Sequence, residues 1–300
     1  MGRGLRALFG RMARWLLFGL AISVPALASG EGGTRFVRVM LRGPHAPHGV
    51  ATEVLLPPGW QPGRPALLMV FLHDGWGSER SFRRHGVAAV ATGMMLGGAL
   101  PSVIVASLRH RGTFIVDSPR GQMESFVAAD LVPALEREFP GAGGSPDTRS
   151  IWGISMGGYG ALKIALRHPG IFGRVGALAP WVQPLGWESY ERNRTWWSRR
   201  LLEPVFGRTR EESRFEANDI FRIAAEADPA QVRPLIIRTG ARDRWEPSAL
   251  ELVSLLRERG IEVDAASIPA AKHRWSDWRR AAPALLEFLT RPASGVADKR

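Results

Sequence analysis

Residues 147–168 read DTRSIWGISMGGYGALKIALRH, and this stretch decides the fold. A short apolar run, Ser150–Gly153, has the length of a strand, and the Ala- and Leu-rich run after Ser155 has the composition of a helix. A serine on so tight a strand-to-helix turn is strained and leaves room for little beside it, which explains the glycines at Gly153 and Gly157, two positions either side. Gly158 and Gly160 extend the allowance for close packing. The turn presents the Ser155 hydroxyl at the tip of the strand. It also aims the Met156 amide, at the helix N-terminus, towards any oxyanion that forms there.

Working outward, apolar runs of strand length recur on both sides. TRFVRVML (34–41) and GVATEVLLPPGW (49–60) read as an antiparallel edge closed by Pro57-Pro58-Gly59, and ALLMVFL (66–72) and SVIVASL (102–108) as strands covered on both faces. Helices are expected around 85–97 and over 123–139. After the serine come RVGALAP (174–180), PLIIRTG (234–240) and EVDAASIPA (262–270) as strands, with SALELVSLLRERG (248–260) and SDWRRAAPALLEFL (276–289) as helices. Strand and helix alternate, so the expected architecture is α/β: a mostly parallel, doubly wound sheet with helices on both faces. The domain spans 34–290, with a frayed tail over 291–300. More than fifty residues separate the sixth and seventh strands, and this interval predicts an insertion, 181–233, over the active edge.

Composition bounds the alternatives. The chain has 300 residues, 45% hydrophobic and 23% charged, with a net charge of +12 and no cysteine, so thiol catalysis and disulfides are out. The excess of base is almost wholly arginine and is scattered outside the N-terminus, which reads as a solvated surface and gives no nucleic-acid partner. Residues 1–28 carry Arg3, Arg6, Arg11 and Arg14, then the apolar run Trp15–Val24, then Pro25-Ala26-Leu27-Ala28. That is the pattern of a secretory signal peptide, too short for a membrane span, and it predicts a secreted or periplasmic protein.

A serine hydroxyl attacks carbonyls only when a base takes its proton and a carboxylate orients that base. In an elbow fold those partners follow the serine on loops after later strands, acid before histidine. Of seven histidines, only His273 lies there: five precede the serine, and His168 sits in the helix after it. Asp243, three residues past the seventh strand, is the favoured acid, and Glu246 the runner-up. His73, in the loop after the third strand, reads as a packing histidine, whereas the glycines of that loop stand where a second oxyanion donor belongs. Trp181, Trp187, Trp196 and Trp197 in the insertion, with Trp76 beside the loop glycine Gly75, are candidate substrate-binding residues. The competing reading puts the insertion's aromatics in a small core of its own.

The strings LPPGWQPGRPALLMVFLHDGWGSERSF, MESFVAADLVPALEREF, GISMGGYGALKIALRHPGIFG, RTGARD and KHRWSDW resemble the esterase D family of α/β-hydrolases. That family includes S-formylglutathione hydrolases, feruloyl and acetyl esterases, and secreted mycolyltransferase-like proteins. The resemblance covers about 35–290 and implies Ser155 as nucleophile, Asp243 and His273 as its partners, and Met156 with Gly75 as oxyanion donors. Asp74 after His73 departs from the commoner His-Gly pattern, which leaves the loop donor open between Gly75 and Trp76. The expected activity is hydrolysis of small-molecule or carbohydrate esters through an acyl-enzyme, with no metal or organic cofactor. The alternatives are acyl transfer to a sugar or lipid hydroxyl by the same residues, and a cell-envelope binding module without turnover.

Overall fold

The computed structural model describes residues 33–291; the predicted signal peptide and all but the first residue of the predicted tail lie outside them. Eight strands form one sheet: β1 (Arg35–Gly43), β2 (Ala46–Leu56), β3 (Leu67–Leu72), β4 (Val103–Leu108), β5 (Arg149–Ile154), β6 (Arg174–Leu178), β7 (Leu235–Gly240) and β8 (Val263–Ile268). Their order is β1-β2-β4-β3-β5-β6-β7-β8. The first two make the expected antiparallel edge, with β2 antiparallel to β4, and every later pairing is parallel. This is the doubly wound α/β-hydrolase sheet.

The sheet is apolar on both sides because both sides are covered. Along β3, Leu68, Val70 and Leu72 face one core while Met69 and Phe71 face the other, the period-2 alternation of a strand buried twice. The first core takes α2 (Leu131–Glu138), the elbow helix α3 (Met156–Arg167) and α7 (Glu246–Glu258); the second takes α1 (Val87–Leu96) and α8 (Trp275–Thr290).

One helix differs from the sequence reading. The helix expected around 85–97 is α1; a single turn, Ser81–Arg84, precedes it, and Gly86 at a left-handed φ of 80° separates the two. The helix over 123–139 contains a π-helical stretch, Phe126–Asp130, before α2. The extra residue leaves Asp130 accepting from the His45 backbone at 2.8 Å, at the β1–β2 turn. A residue-by-residue period of 3.6 does not encode such an insertion.

Between β6 and β7 lie α4 (Trp187–Arg192), α5 (Trp196–Phe206) and α6 (Ile220–Glu226). Tyr190, Phe206 and Phe215 stack on one another, at 4.6 and 5.0 Å between centroids, with Trp187 against Tyr190 at 5.8 Å. Buried polar contacts join this segment to α3: the Tyr159 hydroxyl donates to the Asn218 carbonyl at 2.7 Å, and Lys163 Nζ reaches Asn218 Oδ1 at 3.0 Å and Glu124 Oε2 at 2.9 Å. Burial alone would raise the Glu124 pKa, but bonds from His168 and Lys163 and the charge of Arg167 hold it well below the carboxylate range. The lysine is therefore paired where an isolated ammonium would be prohibitive.

Candidate active site

The elbow is built as its glycines require. Ser155 sits at φ 54°, ψ −114°, a conformation that costs an L-residue on the order of 1–3 kcal/mol. The chain holds it there with backbone bonds: Ser155 N–H donates to Leu178 O at 3.0 Å, and Trp181 N–H to Ser155 O at 2.9 Å. A methyl group at Gly153 would overlap the Gly157 carbonyl, and one at Gly157 would overlap the carbonyl of Leu72. The other described non-glycine residues with positive φ, Phe114, Ile115, Ala179 and Ala270, all lie in loops leaving the carboxyl ends of strands. Strain is concentrated at the edge where open α/β sheets bind ligands.

Three side chains from three loops meet at that edge. His273, after β8, places Nε2 2.9 Å from Ser155 Oγ and Nδ1 2.6 Å from Asp243 Oδ2. Asp243, after β7, has no exposed side-chain surface, and its other oxygen accepts from the Trp245 amide at 3.0 Å. The two loops are tied together where Arg242 N–H donates to Ala271 O at 2.9 Å. Glu246 instead accepts a hydrogen bond from the Ser267 hydroxyl on β8, away from the imidazole. Asp277 braces the histidine loop: Oδ2 accepts from the Lys272 amide and from Arg274 Nε, each at 2.8 Å, and Oδ1 meets Arg280. Bonding to the Lys272 amide and Arg274 lowers its pKa and keeps it an acceptor. The relay can move a proton from the hydroxyl to an imidazole whose other nitrogen is held by a carboxylate.

A cavity of about 820 Å³ opens over Ser155. Met156, Gly75, Trp76 and Trp181 line it, together with Phe114, Arg111, Arg244 and Trp245. Among the described residues the Met156 and Gly75 amides have no backbone acceptor, whereas the Trp76 amide leans on Asp74 Oδ2 at 3.4 Å. His73 packs as the sequence predicts: Nδ1 bonds the Asp74 carbonyl at 2.6 Å, Nε2 accepts from the His110 amide at 3.3 Å, and the two rings stack at 3.9 Å.

The tryptophans of the insertion divide. Trp181 is in the cavity, and Trp197 lines an arm of it that shares Trp76, Trp181 and Trp245. Trp187 lines neither; it is buried in the aromatic core of the insertion. Trp196, exposed, lines neither and borders an adjoining cleft with Arg194, Arg199 and Glu203. Sequence reasoning missed Arg111, Arg244 and Trp245 as cavity residues, although the run Asp243-Arg244-Trp245 follows the acid directly. Among the described residues no group of three or more His, Cys, Asp or Glu could hold a metal ion, and no helix is long and apolar enough to cross a membrane.

Known proteins share this framework. A 64-residue stretch is 41% identical to S-formylglutathione hydrolase of Mus musculus, covering 21% of this chain and 22% of that protein. A solved ferulic acid esterase superposes with a TM-score of 0.73 at 21% identity, over 86% of this chain and 98% of the other. For S-formylglutathione hydrolase from Staphylococcus aureus the TM-score is 0.67 at 15% identity, over 86% and 99%. At such identities the superpositions speak for the α/β-hydrolase fold. The family model described as "Putative esterase" matches residues 47–289, so the resemblance carried by the motifs is borne out and the chain belongs to that family.

Proposed function

We propose that this chain is an exported carboxylic ester hydrolase that works through a Ser155 acyl-enzyme. The observation that carries the reading is the unbroken relay from Ser155 Oγ through His273 to buried Asp243, 2.9 and 2.6 Å long. Ser155 Oγ attacks the ester carbonyl while its proton passes to His273 Nε2. The tetrahedral oxyanion is held by the amides of Met156 and Gly75, the carbon–oxygen bond to the alcohol breaks, and His273 returns the proton to the leaving alkoxide. Water then attacks the acyl-enzyme along the same proton path and releases the acid. Asp243 keeps the imidazole in the Nδ1–H tautomer and stabilises its cationic form. Export rests on the sequence of residues 1–28: a basic start, an apolar run and a small-residue cleavage pattern.

The test combines turnover with labelling. The wild type should hydrolyse p-nitrophenyl esters and gain one phosphonyl mass on Ser155 from a fluorophosphonate, and Ser155→Ala should lose both, turnover by about 10⁴–10⁶-fold. Turnover that survives the substitution refutes the nucleophile. Export is checked by fractionating cells that express the full chain and weighing the mature N-terminus.

A further inference from the structure

The cavity over Ser155 is not electrically neutral. Arg84, Arg111, Arg244 and Arg274 line it against a single acid, Asp74, and the arm that continues past Trp197 adds Arg120 and Arg200 with no acid at all. Arg274 is bonded to Asp277. Arg111 and Arg244 have no carboxylate partner among the described residues, and both line the cavity and its arm. Their positions follow from the sheet order: Arg111 leaves the end of β4 and Arg244 the end of β7, two strands to either side of β5 and its serine. The loops that carry them thus leave the sheet on either side of the serine strand, and both side chains reach the cavity that Ser155 lines.

Both are carried on fixed backbone. The Arg111 loop is pinned by the bond from the His110 amide to buried His73 and by the turn from Thr113 N–H to His110 O at 3.1 Å. Arg244 lies between Asp243 and Trp245, whose amide and carboxylate are bonded to each other, and its guanidinium rests 4.8 Å from the centroid of the Trp245 ring. An arginine stays charged at any working pH and matches a carboxylate in a planar, two-pronged bond. A cleft lined by one sign of charge also concentrates the opposite sign and speeds its arrival.

Resting on the esterase reading, we propose that the natural substrate is a carboxylate-bearing ester: Arg111 and Arg244 hold a carboxylate of the acyl or alcohol part while Ser155 attacks the ester bond. The apolar walls of Trp181 and Trp245 cover the carbon chain between the two groups.

The experiment compares matched esters on the full chain. For the acyl side, the p-nitrophenyl half-ester of adipic acid is set against its neutral primary amide; for the alcohol side, 4-carboxyphenyl hexanoate against 4-carbamoylphenyl hexanoate. At low salt kcat/KM should favour the carboxylate of at least one pair by about tenfold, and 0.5 M NaCl should erase most of that preference. In Arg111→Gln and Arg244→Gln the ratio within that pair should fall, with part of it kept by the lysine variants; a ratio is insensitive to loss of folded enzyme. Equal, salt-independent turnover within both pairs overturns the carboxylate assignment and leaves the esterase reading standing. Absence of turnover on all four esters, with no fluorophosphonate label on Ser155, overturns both.

Discussion

His85 lies face to face on Trp275, ring centroids 3.9 Å apart and planes 10° from parallel. Trp275 opens α8 two residues after His273, and its neighbour Trp278 meets the His273 ring edge-on at 4.8 Å. Trp275 in turn meets Trp278 edge-on at 5.3 Å, so the stack made with the segment after β3 reaches the imidazole through Trp278. Such pairs contribute about 0.5–1.5 kcal/mol beyond area burial. Trp275→Ala should lower kcat on a small neutral ester about tenfold, with KM little changed, and Trp275→Phe should recover most of it. Steady-state kinetics of the two variants decide it; equal losses in both mean the stack does not orient the histidine.

Asp243 and Glu246 stand three residues apart and only the first touches His273. Asp243→Asn should cost about 10⁴-fold in kcat, because an amide favours the wrong imidazole tautomer. Glu246→Gln removes a partner of Ser267 and should leave kcat within a few-fold of wild type. A reversed order in side-by-side assays would contradict the proposed acid.

Trp187 and Trp197 should part company in the same way. Trp187→Ala empties a place in the insertion core and should destabilise by about 3–5 kcal/mol, lowering the melting temperature and scaling activity on all esters alike. Trp197 is 64% exposed, so Trp197→Ala should hold stability within about 0.5 kcal/mol. It should instead shift the preference between bulky and small acyl groups by about tenfold. Thermal melts and a chain-length series separate the two effects.

Acid should weaken the fold through the stacked pair His73 and His110. Burial lowers the pKa of both, for His110 well below the ordinary value, and the bond from His73 to the Asp74 carbonyl opposes it only in part. Protonated His73 would turn an N–H against the His110 amide that its Nε2 now accepts. The unfolded chain takes up protons on both rings below about pH 6.5 that the folded chain refuses. Stability is therefore full above that pH and declines as the pH drops towards the folded values. Melting temperatures from pH 7.5 to 5.5 should fall, and His110→Leu, which removes a ring with no hydrogen-bond partner, should make the fall shallower. An unchanged slope would remove His110 from the account.

The strand order and the serine turn were legible because they follow from local rules: apolar runs bounded by glycine and proline, and glycines where a methyl would overlap a carbonyl. His273 and Asp243 were legible at one remove, since an elbow fixes the chain order of its partners. The fate of each tryptophan was not. Trp187 and Trp197 lie in the same stretch with similar neighbours, and what separates them is how Tyr190, Phe206 and Phe215 pack, a matter of three-dimensional fit. Arg111 and Arg244 escaped for a related reason: each is one arginine among many, and only the sheet order brings them to the same cavity.

The polar contacts of Lys163 and Tyr159 limit how this protein can be rebuilt. Both side chains belong to the helix that begins just after Ser155, and both find partners on Asn218, deep in the segment between β6 and β7. Cutting that segment out to open the cleft would strip a buried ammonium and a buried phenol of an acceptor each, inside the very helix that sets the serine. The segment is therefore no detachable cover. A shortened version of this scaffold that keeps the turn at Ser155 has to give Lys163 and Tyr159 new acceptors in the same step.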